Sequence, residues 1–303
     1  ELHELHPNFV TVVEKETKTN TPSSLTYTDY IEKANNKIST LELDSAYFYF
    51  NQAKLSCKDN EKEMKIYALL GMANIQKTNC DFVGLEETAT EAFGIDNETN
   101  YKEYLNNFLG IAYNEQADYE NALLYYNKTL DNSKNETNRL TIKNNIAVNY
   151  LDQKEYVKSI DVLEKLLKSD SLKVYPSEYA RVTDNLGFAY FKIKKDSLAK
   201  EYLYASLNIR DSINDDYDKI ASYIHLSNFY EENNPVLSKE FANKALQSAT
   251  IVNSPDDKLE ALDLLIKNAT NKKAVKHFAT YSHINDSITK IRQSAKNQYS
   301  KIK

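Results

Sequence analysis

The sequence predicts an all-α solenoid, a row of antiparallel helix pairs stacked one on the next. Three observations predict it. A small residue returns every 37 to 40 positions, turn-forming residues are scarce, and the prolines fall where helices should begin. Only five glycines and five prolines occur in 303 residues, against average usages of about 7% and about 5%. A fold built on tight β-turns would need more of both. Hydrophobic residues supply 41% of the chain, enough for a core, and with no Trp present the 23 Tyr must carry much of the aromatic packing.

The small positions are Ala34, Gly71, Gly110, Ala147, Gly187 and Ser227, separated by 37, 39, 37, 40 and 40 residues. Leu precedes each glycine, and Tyr stands three residues on in Gly110 to Tyr113 and Gly187 to Tyr190. Ala147 to Tyr150 and Ser227 to Tyr230 keep that spacing. A second small residue follows after twelve positions: Ala46, Ala122, Ser159 and Ala199. Four residues later come Phe50, Tyr126, Leu163 and Leu203. Two small residues facing each other let antiparallel helices approach closely, with large side chains filling the flanks. Repeat two is looser, from Gly71 to Leu85, and repeat six is shorter, from Ser227 to Ser238. Ile266 takes the small position of repeat seven, so its helices are expected further apart.

Asn234-Pro235 and Ser254-Pro255 each read as an N-cap followed by Pro at the first helical position. Asp256 and Asp257 then place negative charge where the helix dipole favours it. Pro176 stands at another predicted helix start. Residues 1–26 do not match the repeat and include the apolar run Phe9 to Val13; residues 27–285 form the array; residues 286–303 extend as an amphipathic helix with Ile288, Ile291, Ala295 and Tyr299 on one side. The extension lacks a stop signal, and the chain begins without Met or a signal peptide, so it is read as a processed or trimmed piece.

The pattern L-G-x-x-Y followed by A-x-x-x-F/Y resembles the tetratricopeptide repeat, and Tyr104 to Leu130 matches it almost position by position. The resemblance implies a right-handed superhelical solenoid of about seven helix pairs. The family's period is about 34 residues, and here the additional residues fall between repeats. In chaperone-tail clamps of that family, Lys and Asn on the first repeat and Lys and Arg on the third grip a carboxylate. The matching positions are Ile31, Asn35, Asn107 and Ile111, and only Asn35 fits.

Catalytic chemistry is not legible. Five scattered glycines make no phosphate-cradling loop, and no Cys or His pair has zinc spacing. His3 and His6 flank Glu4 and read as a solvated terminus, while His225, His277 and His283 read as surface or packing residues. Cys57 and Cys80 are expected near opposite ends of one helix, roughly 25 Å apart, and therefore as free thiols. No cofactor, metal or enzymatic activity is implied. The net charge of -6 gives no reason for nucleic-acid contact. No stretch approaches the roughly 18 apolar residues of a membrane span, so the chain as given is read as soluble.

The family's ligands lie along the first helix of each pair. Counted from the small residue, the positions six before, three before, one after and four after should face a groove. They give Tyr104, Asn107, Ile111 and Asn114 in repeat three, and Thr141, Asn144, Val148 and Leu151 in repeat four. Repeat five supplies Arg181, Asp184, Phe188 and Phe191, and repeat six supplies Ala221, Ile224, Asn228 and Glu231. Stacked amides that donate and accept at once suit an extended peptide backbone, and an Arg/Asp pair with two aromatics would fix it.

The run Tyr281 to Ile288, followed by Asn297 to Lys303, resembles the end of the repeat region in membrane-bound regulators and histidine kinases of Bacteroidetes. That resemblance implies a periplasmic sensor domain that binds a protein or peptide. It also implies membrane attachment through a segment beyond this chain and a homodimer through the C-terminal helix. Asp44-Ser45-Ala46, Asp170-Ser171-Leu172, Asp196-Ser197-Leu198, Asp211-Ser212-Ile213 and Asp286-Ser287-Ile288 resemble the O-glycosylation sequon of exported proteins from such bacteria; Asp-Ser is also favoured at helix starts, as at residues 44 and 196. Two alternatives stay open: a cytoplasmic repeat protein that binds a peptide signal or partner, and a structural adaptor of an envelope complex.

Overall fold

The computed structural model describes residues 25–40, 42–252, 254–269 and 271–302, with helices and no strands among them. The readings at His3, His6 and Phe9 to Val13 lie outside the described residues, as do the side chains of Ile291, Ala295 and Tyr299. The chain divides into two compact units, one of Glu1–Phe108 with Ala295–Lys303, the other of Leu109–Ser294.

In the first unit, α1 (Tyr27–Ser39) pairs with α2 (Leu43–Ser56), and α3 (Lys62–Thr78) pairs with α4 (Phe82–Ile95); α5 (Lys102–Glu115) begins here and ends in the second unit. A capping box opens α1: the Thr26 hydroxyl accepts from the Asp29 backbone N–H, and the Asp29 carboxylate accepts from that of Thr26. Ala34, Ala46, Phe50 and Gly71 are all buried. A Cβ on Gly71 would lie 2.5 Å from the Phe50 ring. The tightest contact of Gly71 is thus with the preceding helix α2. Cys57 caps α2 and Cys80 follows α3, on either side of one helix and with neither in a disulfide.

The second unit continues with α6 (Tyr119–Asn132), α7 (Glu136–Asp152), α8 (Tyr156–Leu167) and α9 (Asp170–Lys173). Then come α10 (Pro176–Lys192), α11 (Asp196–Ser212), α12 (Lys219–Tyr230), α13 (Pro235–Ile251), α14 (Pro255–Lys267) and α15 (Asn271–Ile302). The short α9 has no counterpart elsewhere among the described repeats. It takes up the additional residues between repeats four and five, and Leu172 anchors it in the core. A Cβ on Gly110 would meet the Tyr126 ring at 2.5 Å, and one on Gly187 would meet the Leu203 backbone nitrogen at 2.9 Å. In repeat six two serines make the close approach: the Ser227 hydroxyl donates to the Ser238 carbonyl at 2.9 Å. Leu163, Leu166, Leu186, Leu203 and Leu226 join one core across repeats four to six. Full burial of each stabilises the fold by roughly 1.5–3 kcal/mol relative to exposure.

Helix starts follow the sequence. Pro176, Pro235 and Pro255 occupy first-turn positions, and the Asn234 side chain accepts from the Leu237 N–H. The turns within pairs follow no glycine signal. Ala117, Lys154 and Lys194 lie seven residues past the small residue, with φ of 60°, 62° and 60°. The next residue in each, Asp118, Glu155 or Lys195, donates its N–H to the carbonyl of Tyr113, Tyr150 or Tyr190. This is a Schellman-type closure, made without the glycine that usually fills its left-handed position.

Candidate functional site

The first helices of the second unit present positions one, four and five after the small residue on one face. Ile111, Val148, Phe188 and Asn228, the residues one after, are half-buried, and Glu115, Asp152, Lys192 and Glu232, five after, are exposed. The position five after is absent from the sequence reading, which counted a narrower helix face.

The position three before the small residue is a correction. Asn144 and Asp184 are 2% and 1% exposed, so neither side chain lies open to a groove. Each meets the residue two before the small position of the next repeat. Asn185 Nδ2 donates to Asn144 Oδ1 at 2.9 Å, and His225 Nδ1 lies 2.7 Å from Asp184 Oδ2. These side chains tie neighbouring first helices together. Asn114 is similarly engaged: its amide donates to Asp152 Oδ2 at 2.9 Å and accepts from Asn149 Nδ2 at 2.8 Å. Two of the amides expected to hold a guest backbone, Asn114 and Asn144, are instead engaged by other amides of the array.

The expected Arg181 and Asp184 pair does not form. Arg181 pairs with Glu178 one turn earlier, and its Nη2 donates to Thr141 Oγ1 at 3.2 Å. Asp184 instead sits in a buried cluster drawn from three helices. Arg210 of α11 approaches it at 3.5 Å, and the Ser222 hydroxyl of α12 donates to it at 3.2 Å. Burial alone would raise the Asp184 carboxyl, but the charges of His225 and Arg210 and the hydrogen bonds from His225 and Ser222 hold it below its ordinary value. An ionised Asp184 only accepts, so His225 Nδ1 carries a proton and the imidazole is fixed in orientation.

That imidazole stacks on Phe188 at 4.3 Å with an interplanar angle of 17°. Phe191 lies 6.1 Å from Phe188 and 5.8 Å from Phe229. The Lys192 ammonium stands over both groove aromatics, 4.6 Å from the Phe188 ring and 5.3 Å from the Phe191 ring. The result is an aromatic platform on α10 and α12, backed by a buried ion cluster and edged by a cation. Sequence reading found Phe188 and Phe191 and missed His225 and Lys192, because a single His on a helix face carries no signal of its partner.

The remaining expected residues are dispersed. Tyr104 and Asn107 belong to the first unit, where Tyr104 is exposed and Asn107 Oδ1 is enclosed without a partner among the described residues. Asn228 turns its amide back to the Ile224 carbonyl of its own helix. Burial raises the carboxyls of Glu115, Asp152 and Glu260 above the ordinary range, although water reaches all three. Among the described residues no group of three His, Cys, Asp or Glu could hold a metal, and no helix is long and apolar enough to cross a membrane.

No protein-family model matches the sequence, and no curated protein matches it. Solved structures do. The apo form of RapI is 18% identical with a TM-score of 0.65, over 91% of this chain and 99% of that one. A tetratricopeptide repeat protein from Parabacteroides merdae is 12% identical with a TM-score of 0.53, over 85% and 98%. A signal transduction ATPase with numerous domains and a tetratricopeptide repeat sensor, from Pyrococcus horikoshii, is 14% identical with a TM-score of 0.57, over 91% of this chain and 49% of that protein. At these identities the likeness is one of fold, and the fold is the tetratricopeptide-type solenoid.

Proposed function

We propose that this chain is a binding scaffold for a protein or an extended peptide, with no catalytic role, and that it serves as the periplasmic sensor domain of a bacterial signalling regulator. The aromatic platform of Phe188 and Phe191, with His225 stacked on it, carries the binding reading. Half-buried aromatics fixed from behind lose little conformational freedom when a guest covers them, and such residues dominate binding energy at interfaces. The sensor reading is supported by the resemblance of Tyr281 to Ile288 and Asn297 to Lys303 to membrane-bound regulators. It is supported also by the archaeal protein of similar fold, whose repeat region is described as a sensor.

The binding test is a peptide array probed with wild type and with the Phe188→Ala/Phe191→Ala variant. Loss of binding by tenfold or more, about 1.4 kcal/mol, is expected; unchanged binding removes the platform as the site. The sensor reading is tested separately by the gene around this segment and by a compartment-dependent reporter fusion. A cytoplasmic reporter signal would sink the periplasmic assignment. Membrane attachment through a following segment and dimerisation through α15 belong to the same proposal, and sedimentation of the chain extended through that segment tests the dimer.

A further inference from the structure

We infer that Lys192 anchors a side-chain carboxylate of the bound peptide, with the adjacent apolar side chain of that peptide seated on Phe188 and Phe191. The inference rests on the peptide-binding reading above and gives it a ligand chemistry.

Lys192 ends α10, and it is the only basic residue among the exposed set Glu115, Asp152, Lys192 and Glu232 that shares its register. Its ammonium forms no ion pair with a described carboxylate; it rests on two phenyl rings instead. The neighbouring cations are already engaged. Lys267 of α14 lies 2.7 Å from Asp263, and Lys194 lies 3.9 Å from Glu232. Burial, then the charge of Lys194, push the Lys192 ammonium below its ordinary pKa; Glu231, the residue that caps α12, opposes them and Lys267 adds to them. The acid that caps the adjacent first helix forms no ion pair with it. A guest carboxylate would supply the missing counter-charge in a partly desolvated setting, where a charge-assisted hydrogen bond is strongest.

The rings set what stands beside that carboxylate. Phe188 and Phe191 offer apolar surface directly under the ammonium, so an apolar side chain next to an acidic one covers both at once. A side-chain source fits better than a peptide terminus, because first helices continue the face on either side of α10, from α7 to α12 and α14. An extended chain can run on in both directions.

The test uses acetylated, amidated nonapeptide pools with Phe-Glu, Phe-Gln or Phe-Lys at the centre, measured by fluorescence anisotropy. For wild type, the Phe-Glu pool should bind about tenfold tighter than the Phe-Gln pool, and the preference should shrink with salt. Lys192→Glu should favour the Phe-Lys pool, while Phe188→Ala should weaken all pools. Equal binding of the Phe-Glu and Phe-Gln pools, or a preference that Lys192→Glu leaves unchanged, overturns the anchor while the peptide-binding reading stands. A preference seen only for pools ending in a free carboxylate overturns the side-chain source. Absence of binding by every pool overturns the anchor and the peptide-binding reading together.

Discussion

Asp184 Oδ2 and Arg210 Nη1 lie 3.5 Å apart, with each side chain only 2% exposed. Arg210 Nη1 also donates to Ser222 Oγ, and its Nε has no partner among the described residues. Removing one charge from such a pair strands the other, at a cost of about 3–5 kcal/mol, whereas replacing both by apolar residues can be nearly neutral. Asp184→Leu should therefore destabilise strongly, and Asp184→Leu/Arg210→Met should recover most of the loss. Denaturant midpoints of the two single variants and the double variant measure this; additive losses would contradict it.

The same cluster sets a pH dependence. The folded Asp184 carboxyl is held below its ordinary value, so its stabilisation is complete above the unfolded pKa of about 3.9 and is lost as pH falls through the folded value. Wild type should lose melting temperature steeply below about pH 4. Asp184→Asn should start lower and show a shallower acid slope.

A methyl group on Gly110 would fall 2.5 Å from the Tyr126 ring. Gly110→Ala should cost about 1–3 kcal/mol, the usual range for overpacking. The remedy is already present in repeat four, where Ala147 shares a core with Leu163. Gly110→Ala/Tyr126→Leu should regain stability over the single variant, and thermal melts followed by circular dichroism decide it.

Lys154 holds a left-handed φ of 62° on an exposed turn. A Cβ in that conformation costs roughly 1–2 kcal/mol, partly offset by the larger unfolded-state entropy of glycine. Lys154→Gly should raise the melting temperature, and a fall would refute the strain argument.

Glu115 and Asp152 stand on successive first helices, and each carboxyl is raised by burial, with Asp152 also raising Glu115. An acid raised on folding contributes fully below its unfolded pKa and loses that contribution as pH climbs through the folded value. Glu115→Gln should therefore melt higher than wild type at pH 7, with no difference near pH 3.

The register of the array is legible in the sequence because it depends on local spacing. Gly110, Gly187 and the prolines at 176, 235 and 255 act through their own backbone and one nearby helix. The site is legible only in part. Asp184 looks like a groove residue to any count along one helix, and its burial depends on His225, 41 positions away, and on Arg210 of the intervening helix. The positive φ of Ala117 and Lys154 is hidden for another reason: neither residue type advertises a left-handed turn, and the closing hydrogen bonds are backbone only.

The ties between first helices also decide which repeat can follow which. Asn144 meets Asn185 amide to amide, whereas the equivalent place one repeat on joins a carboxylate to an imidazole beside a buried guanidinium. Were repeat five excised, Asp184 and Arg210 would leave together, and Asn144 would face His225 where a carboxylate now stands. Units that share one spacing rule are thus not interchangeable modules. Their order is written in matched pairs of polar side chains, and shuffled versions of this array should assemble poorly even with every small residue in place.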